Sequence, residues 1–194
     1  MDQLIFQKKE EIYGWILNTI TGNDERYYPS EDDINTLIYF VYNGAIIISE
    51  SVIPNIEKPG EAILNKMSGP QKDYKYIAYK ILENKNIEKE NIKFEYTYGV
   101  RKIDLFVQTE NKKIFIECGP TYIKKLIEYL EESNSELWLI TQGNGPWEDL
   151  PPGLNKCQFF IIKRGPVWDK LFYKYLKIKY ERIKDIRNCL NLLN

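Results

Sequence analysis

The chain has 194 residues, 43% of them hydrophobic and 14% aromatic, with 27 lysines and arginines against 28 acids and no histidine. That length and apolar content suit one full domain, or one domain with a helical appendage, and argue against disorder. The missing histidines exclude Ser-His-Asp and Cys-His hydrolases and every His-liganded zinc site, so any chemistry must rest on carboxylates, lysines, hydroxyls or a hard metal ion.

No stretch approaches the ~18 consecutive apolar residues of a membrane helix. Met1-Asp2-Gln3-Leu4 lacks the basic start and apolar core of a signal peptide, so a soluble, intracellular (cytoplasmic) protein is expected. Cys118, Cys157 and Cys189 are odd in number and widely spaced, which indicates neither a disulfide framework nor a zinc site. The near-neutral total hides a gradient: residues 1–70 carry 5 Lys/Arg against 11 Asp/Glu, while residues 156–194 carry 10 against 3. A basic end of this kind suits either a phosphate-facing patch or a solvated helix face. The abundance of Ile, Lys, Tyr and Asn points to an A+T-rich, archaeal or viral source.

In chain order, Leu4, Ile5, Ile12, Trp15, Ile16 and Leu17 recur at helical spacing from Asp2 to Ile20, and Thr21-Gly22-Asn23-Asp24 ends that helix. Ser30 is an N-cap, with Glu31, Asp32 and Asp33 in the first turn where the helix dipole favours acids, and Asn43-Gly44 stops the helix near Tyr42. Ala45–Ser49 reads as a short buried strand, and Pro54 to Pro59 as a connector. Gln71 to Asn84 is a helix with Tyr74, Ile77, Ala78, Ile81 and Leu82 on one face. Three strands follow, Lys93–Val100, Lys102–Thr109 and Lys113–Cys118, joined by tight turns. A helix from Tyr122 to Glu132, with Thr121 before it, provides the crossover to a parallel strand at Glu136–Thr141. A Gly/Pro-rich loop from Gln142 to Pro152 leads to a strand at Gln158–Lys163 and a long basic helix from Val167 to Leu193. The expected organisation is an N-terminal helical and short-strand extension (1–69), an α/β core (70–165) and a basic C-terminal helix packed on it (166–194).

Two acids stand out in this layout. Glu117 ends an apolar run, Ile114-Phe115-Ile116, and Asp104 lies between Ile103 and Leu105-Phe106-Val107 one strand earlier. A carboxylate at the end of a buried strand costs several kcal/mol unless it is paired, hydrogen-bonded or bound to a cation. Two such acids on antiparallel neighbours can share a sheet face, where they repel unless neutralised. Their hard oxygens suit Mg²⁺ or Mn²⁺, which activates water without histidine. A structural ion pair with Arg101 or Lys102 is the alternative. Cys118 falls on the opposite strand face from Glu117 and reads as a small buried residue.

Taken together, the element order over residues 70 to 141, Ile103-Asp104, Phe115-Ile116-Glu117-Cys118-Gly119, Thr121 and Lys124-Lys125-Leu126 resemble the PD-(D/E)xK nuclease superfamily, and within it archaeal and archaeal-virus members in which glycine follows the glutamate motif. The resemblance implies a restriction-endonuclease-like α-β-β-β-α-β core with a mixed sheet and Mg²⁺- or Mn²⁺-dependent cleavage of DNA, with Asp104 and Glu117 as metal ligands. A homodimer is a further expectation, since folds of this size commonly pair two sites on a duplex. It also implies a lysine two residues after the glutamate, where this chain has Gly119. Lys124 is the expected substitute, and Asp73 supplies the acid that the superfamily often adds from its first helix. Lys125, Lys102, Lys174 and Lys177 are the expected DNA contacts. Loss of the lysine leaves open a second reading, a nucleic-acid-binding or assembly protein that keeps the fold without the chemistry.

Overall fold

The computed structural model describes residues 9–22, 25–54, 56, 62, 65, 67, 71–142 and 157–175. Helix α1 (Lys9–Trp15) continues as a π-helical turn (Ile16–Ile20), and α2 spans Glu31–Tyr42. The N-cap expected at Ser30 is present: its hydroxyl accepts from the Asp33 N–H at 3.2 Å, satisfying one of the donors a helix start leaves open. Strand β1 (Ile46–Ser51) is followed by α3 (Lys72–Asn84) and then the meander β2 (Ile92–Tyr98), β3 (Arg101–Gln108) and β4 (Lys113–Cys118). Next come α4 (Ile123–Glu131), β5 (Ser135–Gln142), β6 (Cys157–Arg164) and a helix, α5, over 168–175. The rest of the basic helix expected to Leu193, the loop after Gln142 and most of the connector before α3 lie outside the described residues.

The protein is mixed α/β, with one six-stranded sheet in the order β1-β6-β5-β4-β3-β2. β4 and β5 are parallel and all other neighbours antiparallel, so α4 is the crossover that the spacing predicts. Alternation along the strands fills two cores. Phe115, Leu137, Leu139, Phe160 and Ile162 face α1, α2 and α4, while Ile114, Ile116, Trp138, Ile140 and Phe159 face α3. A sheet covered on both faces explains why these strands read as continuous apolar runs. The N-terminal segment is built into this unit: β1 is an edge strand, and Ile12, Trp15, Leu37 and Phe40 join the same core as Phe115. Trp168 of α5 enters that core too, stacked on Phe40 at 5.5 Å. Among the described residues no helix is long and apolar enough to cross a membrane.

One irregularity matters for function. Phe94 pairs with Leu105 and Tyr96 with Ile103, yet Glu95 and Asp104 between them are not a ladder pair. Glu95 has φ +48°, a left-handed conformation that costs a non-glycine residue about 1 kcal/mol or more. Across this point the side chains change sides. Ile92 and Leu105 belong to the core under α3, whereas Tyr96 and Ile103 belong to the opposite core, where Tyr96 stacks on Phe106 at 4.8 Å. The pleat therefore reverses at Glu95 and Asp104, which face neither core as regular strand residues would.

Candidate active site

Strand β3 pairs with β4 from Gln108↔Lys113 to Leu105↔Ile116 and no further. Beyond that point the Cys118 N–H donates not to a strand carbonyl but to Asp104 Oδ2, at 2.8 Å. The side chain thus takes the place of a ladder acceptor, satisfying a buried amide while the two strands part. β4 remains attached to β5 on its other side, with the Gly119 N–H donating to Ile140 O at 2.7 Å.

The same carboxylate is engaged from the α3 side. Lys75 Nζ lies 3.0 Å from Asp104 Oδ1 and also hydrogen-bonds Glu95. Lys75 is only 4% exposed, in the first half of α3. Burial works against its ammonium, but the bond to Glu95 and the charge of Asp104 outweigh it and hold its pKa above the ordinary lysine value. Glu95 is shared with Lys102 at 2.7 Å, whose side chain is largely in solvent.

Glu117 is engaged from the α4 side. Its Oε1 accepts from the Tyr129 hydroxyl at 2.8 Å and lies 2.7 Å from Lys125 Nζ. Tyr129 is itself fixed, stacked on Phe115 with centroids 4.5 Å apart. Lys125 also donates to Lys102 O at 2.9 Å, tying α4 to the start of β3. Burial pushes the Glu117 carboxyl from 4.5 up to about 7; the Lys125 charge opposes this and the Asp104 charge adds to it. The two acids therefore sit close enough to feel one another, at the end of the sheet where β3 and β4 separate.

The expectation that the pair would share one sheet face is replaced by a different arrangement: Asp104 meets α3 and Glu117 meets α4. Its cause is the pleat reversal, which also turns Lys102 toward Glu95 instead of Asp104. Lys124, the expected substitute for the motif lysine, is exposed, while Lys125, expected as a DNA contact, reaches Glu117. Asp73 is exposed in the first turn of α3, and Lys75, two residues on, is the α3 residue that reaches the acids. Lys174 is exposed on α5, with no contact to the acid pair among the described residues; Lys177 lies outside them. Arg101 is committed to Glu128 through two hydrogen bonds of 2.6 and 2.9 Å. Cys118 is 2% exposed on the face opposite Glu117, and burial raises its thiol pKa well above the ordinary value, which disfavours a nucleophilic thiolate.

Gly119 has a steric reason. Its φ is +93°, and a Cβ there would lie 2.4 Å from Gln71 Nε2 and 2.9 Å from Gln71 Cδ. The Gln71 side chain, immediately before α3, fills the place where a motif lysine would begin. Lys75, Gln71, Glu95 and Tyr129 were not singled out by sequence reading. A signal exists for Lys75 alone: it falls three and seven residues before Ala78 and Leu82 on the buried stripe of α3.

Among the described residues, three lysines (75, 102 and 125) balance three acids (95, 104 and 117) in this cluster. The carboxylate repulsion that would call for a divalent ion is thus already relieved by ammonium groups. The donors nevertheless suit a hard cation: both named contacts of Glu117 fall on Oε1, leaving Oε2 without a partner among the described residues, and Asp104 Oδ1 faces only a lysine. Among the described residues no three or more acid, cysteine or histidine side chains are placed to hold one metal ion together, so a metal here would rest on these two carboxylates with backbone or water oxygens.

No family model, curated protein or solved structure matches the chain. The fold and the site define a mixed α/β protein with a largely enclosed carboxylate–lysine centre at one end of its sheet.

Two outcomes follow. In protein treated with EDTA, protonated Glu117 is favoured by the fold, because between pH 4.5 and about 7 the unfolded chain releases this proton and the folded chain keeps it. The stability of wild type relative to Glu117→Gln is then highest below about pH 4.5 and falls, by on the order of 3 kcal/mol, as pH rises through about 7. Urea unfolding of both proteins across this range checks it; a difference that rises or stays flat contradicts the burial account. Secondly, Gly119→Lys, which restores the motif, lowers stability by about 1–3 kcal/mol through backbone strain at φ +93°, with the flexible end of the Gln71 side chain moving aside. Gly119→Lys combined with Gln71→Ala recovers little of that loss.

Proposed function

We propose that the protein is a metal-dependent nuclease of the PD-(D/E)xK type acting on DNA, with Asp104 and Glu117 as metal ligands and Lys125 as the basic residue that replaces the missing motif lysine. The reading rests on the 2.7 Å contact between Lys125 and Glu117, beside Asp104, where β3 and β4 part. The element order of α3, β2 to β4, α4 and β5, with β4 and β5 parallel, is compatible with the restriction-endonuclease-like topology that the sequence suggested.

Each side chain then has a defined task. Asp104 and Glu117 would hold the ion. Tyr129 orients the Glu117 carboxylate, and Lys125 keeps an ammonium at the same oxygen, whose N–H donors are suited to orient a water. Lys102, exposed at the rim, is available to a backbone phosphate. A bound Mg²⁺ or Mn²⁺ supplies Lewis acidity toward the phosphodiester and an acidified water. The basic C-terminal residues and a second subunit would extend the DNA contact.

A second reading is favoured by two observations: Lys75 already neutralises Asp104, and Gln71 fills the motif position. On that reading the chain binds nucleic acid without cutting it. Cleavage of plasmid, linear, single-stranded and branched DNA with Mg²⁺ or Mn²⁺ separates the two. Asp104→Asn, Glu117→Gln and Lys125→Met are expected to lose about two orders of magnitude or more, and Lys124→Met less than about threefold. Wild-type protein that binds DNA but cuts none of these substrates supports the second reading. Cleavage that survives Lys125→Met but not Lys124→Met refutes the role given to Lys125.

A further inference from the structure

We propose that Lys75 is a positioning residue that acts as the resident counter-ion of Asp104 and hands the carboxylate to a divalent cation by moving onto Glu95. The inference rests on the reading of Asp104 and Glu117 as metal ligands. It starts from an inversion of charge: the α3 residue that reaches the acid pair is not Asp73, which is exposed, but the buried lysine two residues later.

Among the described contacts, Lys75 lies between two carboxylate acceptors. One is Asp104 Oδ1 at 3.0 Å; the other is Glu95, whose carboxylate also faces Lys102 at 2.7 Å. A divalent ion binds carboxylate oxygen at roughly 2.1 Å, and an ammonium on the same oxygen would repel it. The two cations therefore exclude one another at Oδ1. Glu95 provides the alternative seat, because Lys75 already bonds it and Lys102, 65% exposed, can give up its share to water. Asp104 Oδ2 need not move in the exchange, since its bond to the Cys118 N–H lies on the other oxygen. The left-handed backbone of Glu95 has a role in this scheme: the pleat reversal brings its carboxylate to the ammonium that α3 delivers. With no metal, Lys75 and the Cys118 N–H hold the Asp104 carboxylate in place, and the site is built before the ion arrives.

Mn²⁺ binding followed by electron paramagnetic resonance of the free ion tests this on the full chain, with circular dichroism to verify folding. Lys75→Met removes the competitor and is expected to tighten Mn²⁺ by about tenfold or more, the scale of one charge-assisted contact. Glu95→Gln weakens the second seat, leaves Lys75 more firmly on Asp104 and is expected to weaken Mn²⁺ severalfold. Binding by Lys75→Met where wild type binds none also supports the exchange. If binding is lost in Asp104→Asn but unmoved in both Lys75→Met and Glu95→Gln, the exchange is wrong and the metal site stands. Should Lys75→Met fail to fold, an unchanged affinity in Glu95→Gln overturns the exchange by itself. Absence of Mn²⁺ binding in wild type and Lys75→Met alike overturns both the exchange and the metal-ligand reading.

Discussion

The amide of Cys118 is buried between two strands and must find an acceptor; it finds a side chain. Because the Asp104 carboxylate takes that hydrogen bond, β3 and β4 part after Leu105↔Ile116 without leaving an unsatisfied donor. Much of the site's form follows from it. The side-chain pattern reverses at Asp104 and Glu95, so Tyr96 and Ile103 pack in the α4-side core while Leu105 stays under α3. The gap at the strand ends is where α3 delivers Lys75 and α4 delivers Lys125 and Tyr129.

The electrostatics of that gap are resolved by pairing. Two carboxylates near one another, Glu117 buried and Asp104 half-buried, would be costly alone, and removing one partner of a buried pair typically costs about 3–5 kcal/mol. Among the described residues the three lysines balance the three acids, yet hold them unevenly: Lys102 is mostly exposed, while Lys75 and Glu117 are nearly enclosed. A centre of this kind is stable without a metal and still presents hard oxygens near a strand end. Burial, more than any single neighbour, leaves Glu117 poised to ionise near neutrality.

The elements were largely legible in the sequence because apolar periodicity and caps are local signals. β4 was expected at Lys113–Cys118 and spans those residues, and Ser30 caps α2 as its sequence context predicts. The acids were legible too, since Asp104 and Glu117 interrupt apolar strands. Their partners were not. The sequence offered Arg101 or Lys102 as an ion-pair partner, but strand alternation fails at a pleat reversal, and a left-handed glutamate has no sequence signature. Lys124 and Lys125 are adjacent on a helix, and which one faces the sheet depends on a rotation of about 100° that the identical neighbours do not fix. Gln71 could be recognised only once its side chain met Gly119 in space.

The central claim is that these paired carboxylates form a cation site. Anomalous diffraction from a crystal soaked in Mn²⁺ measures it directly. The account predicts a peak bound by Asp104 and Glu117, with Lys75 withdrawn toward Glu95. A fully soaked crystal with no peak there, and with Lys75 and Lys125 still on their acids, would contradict it.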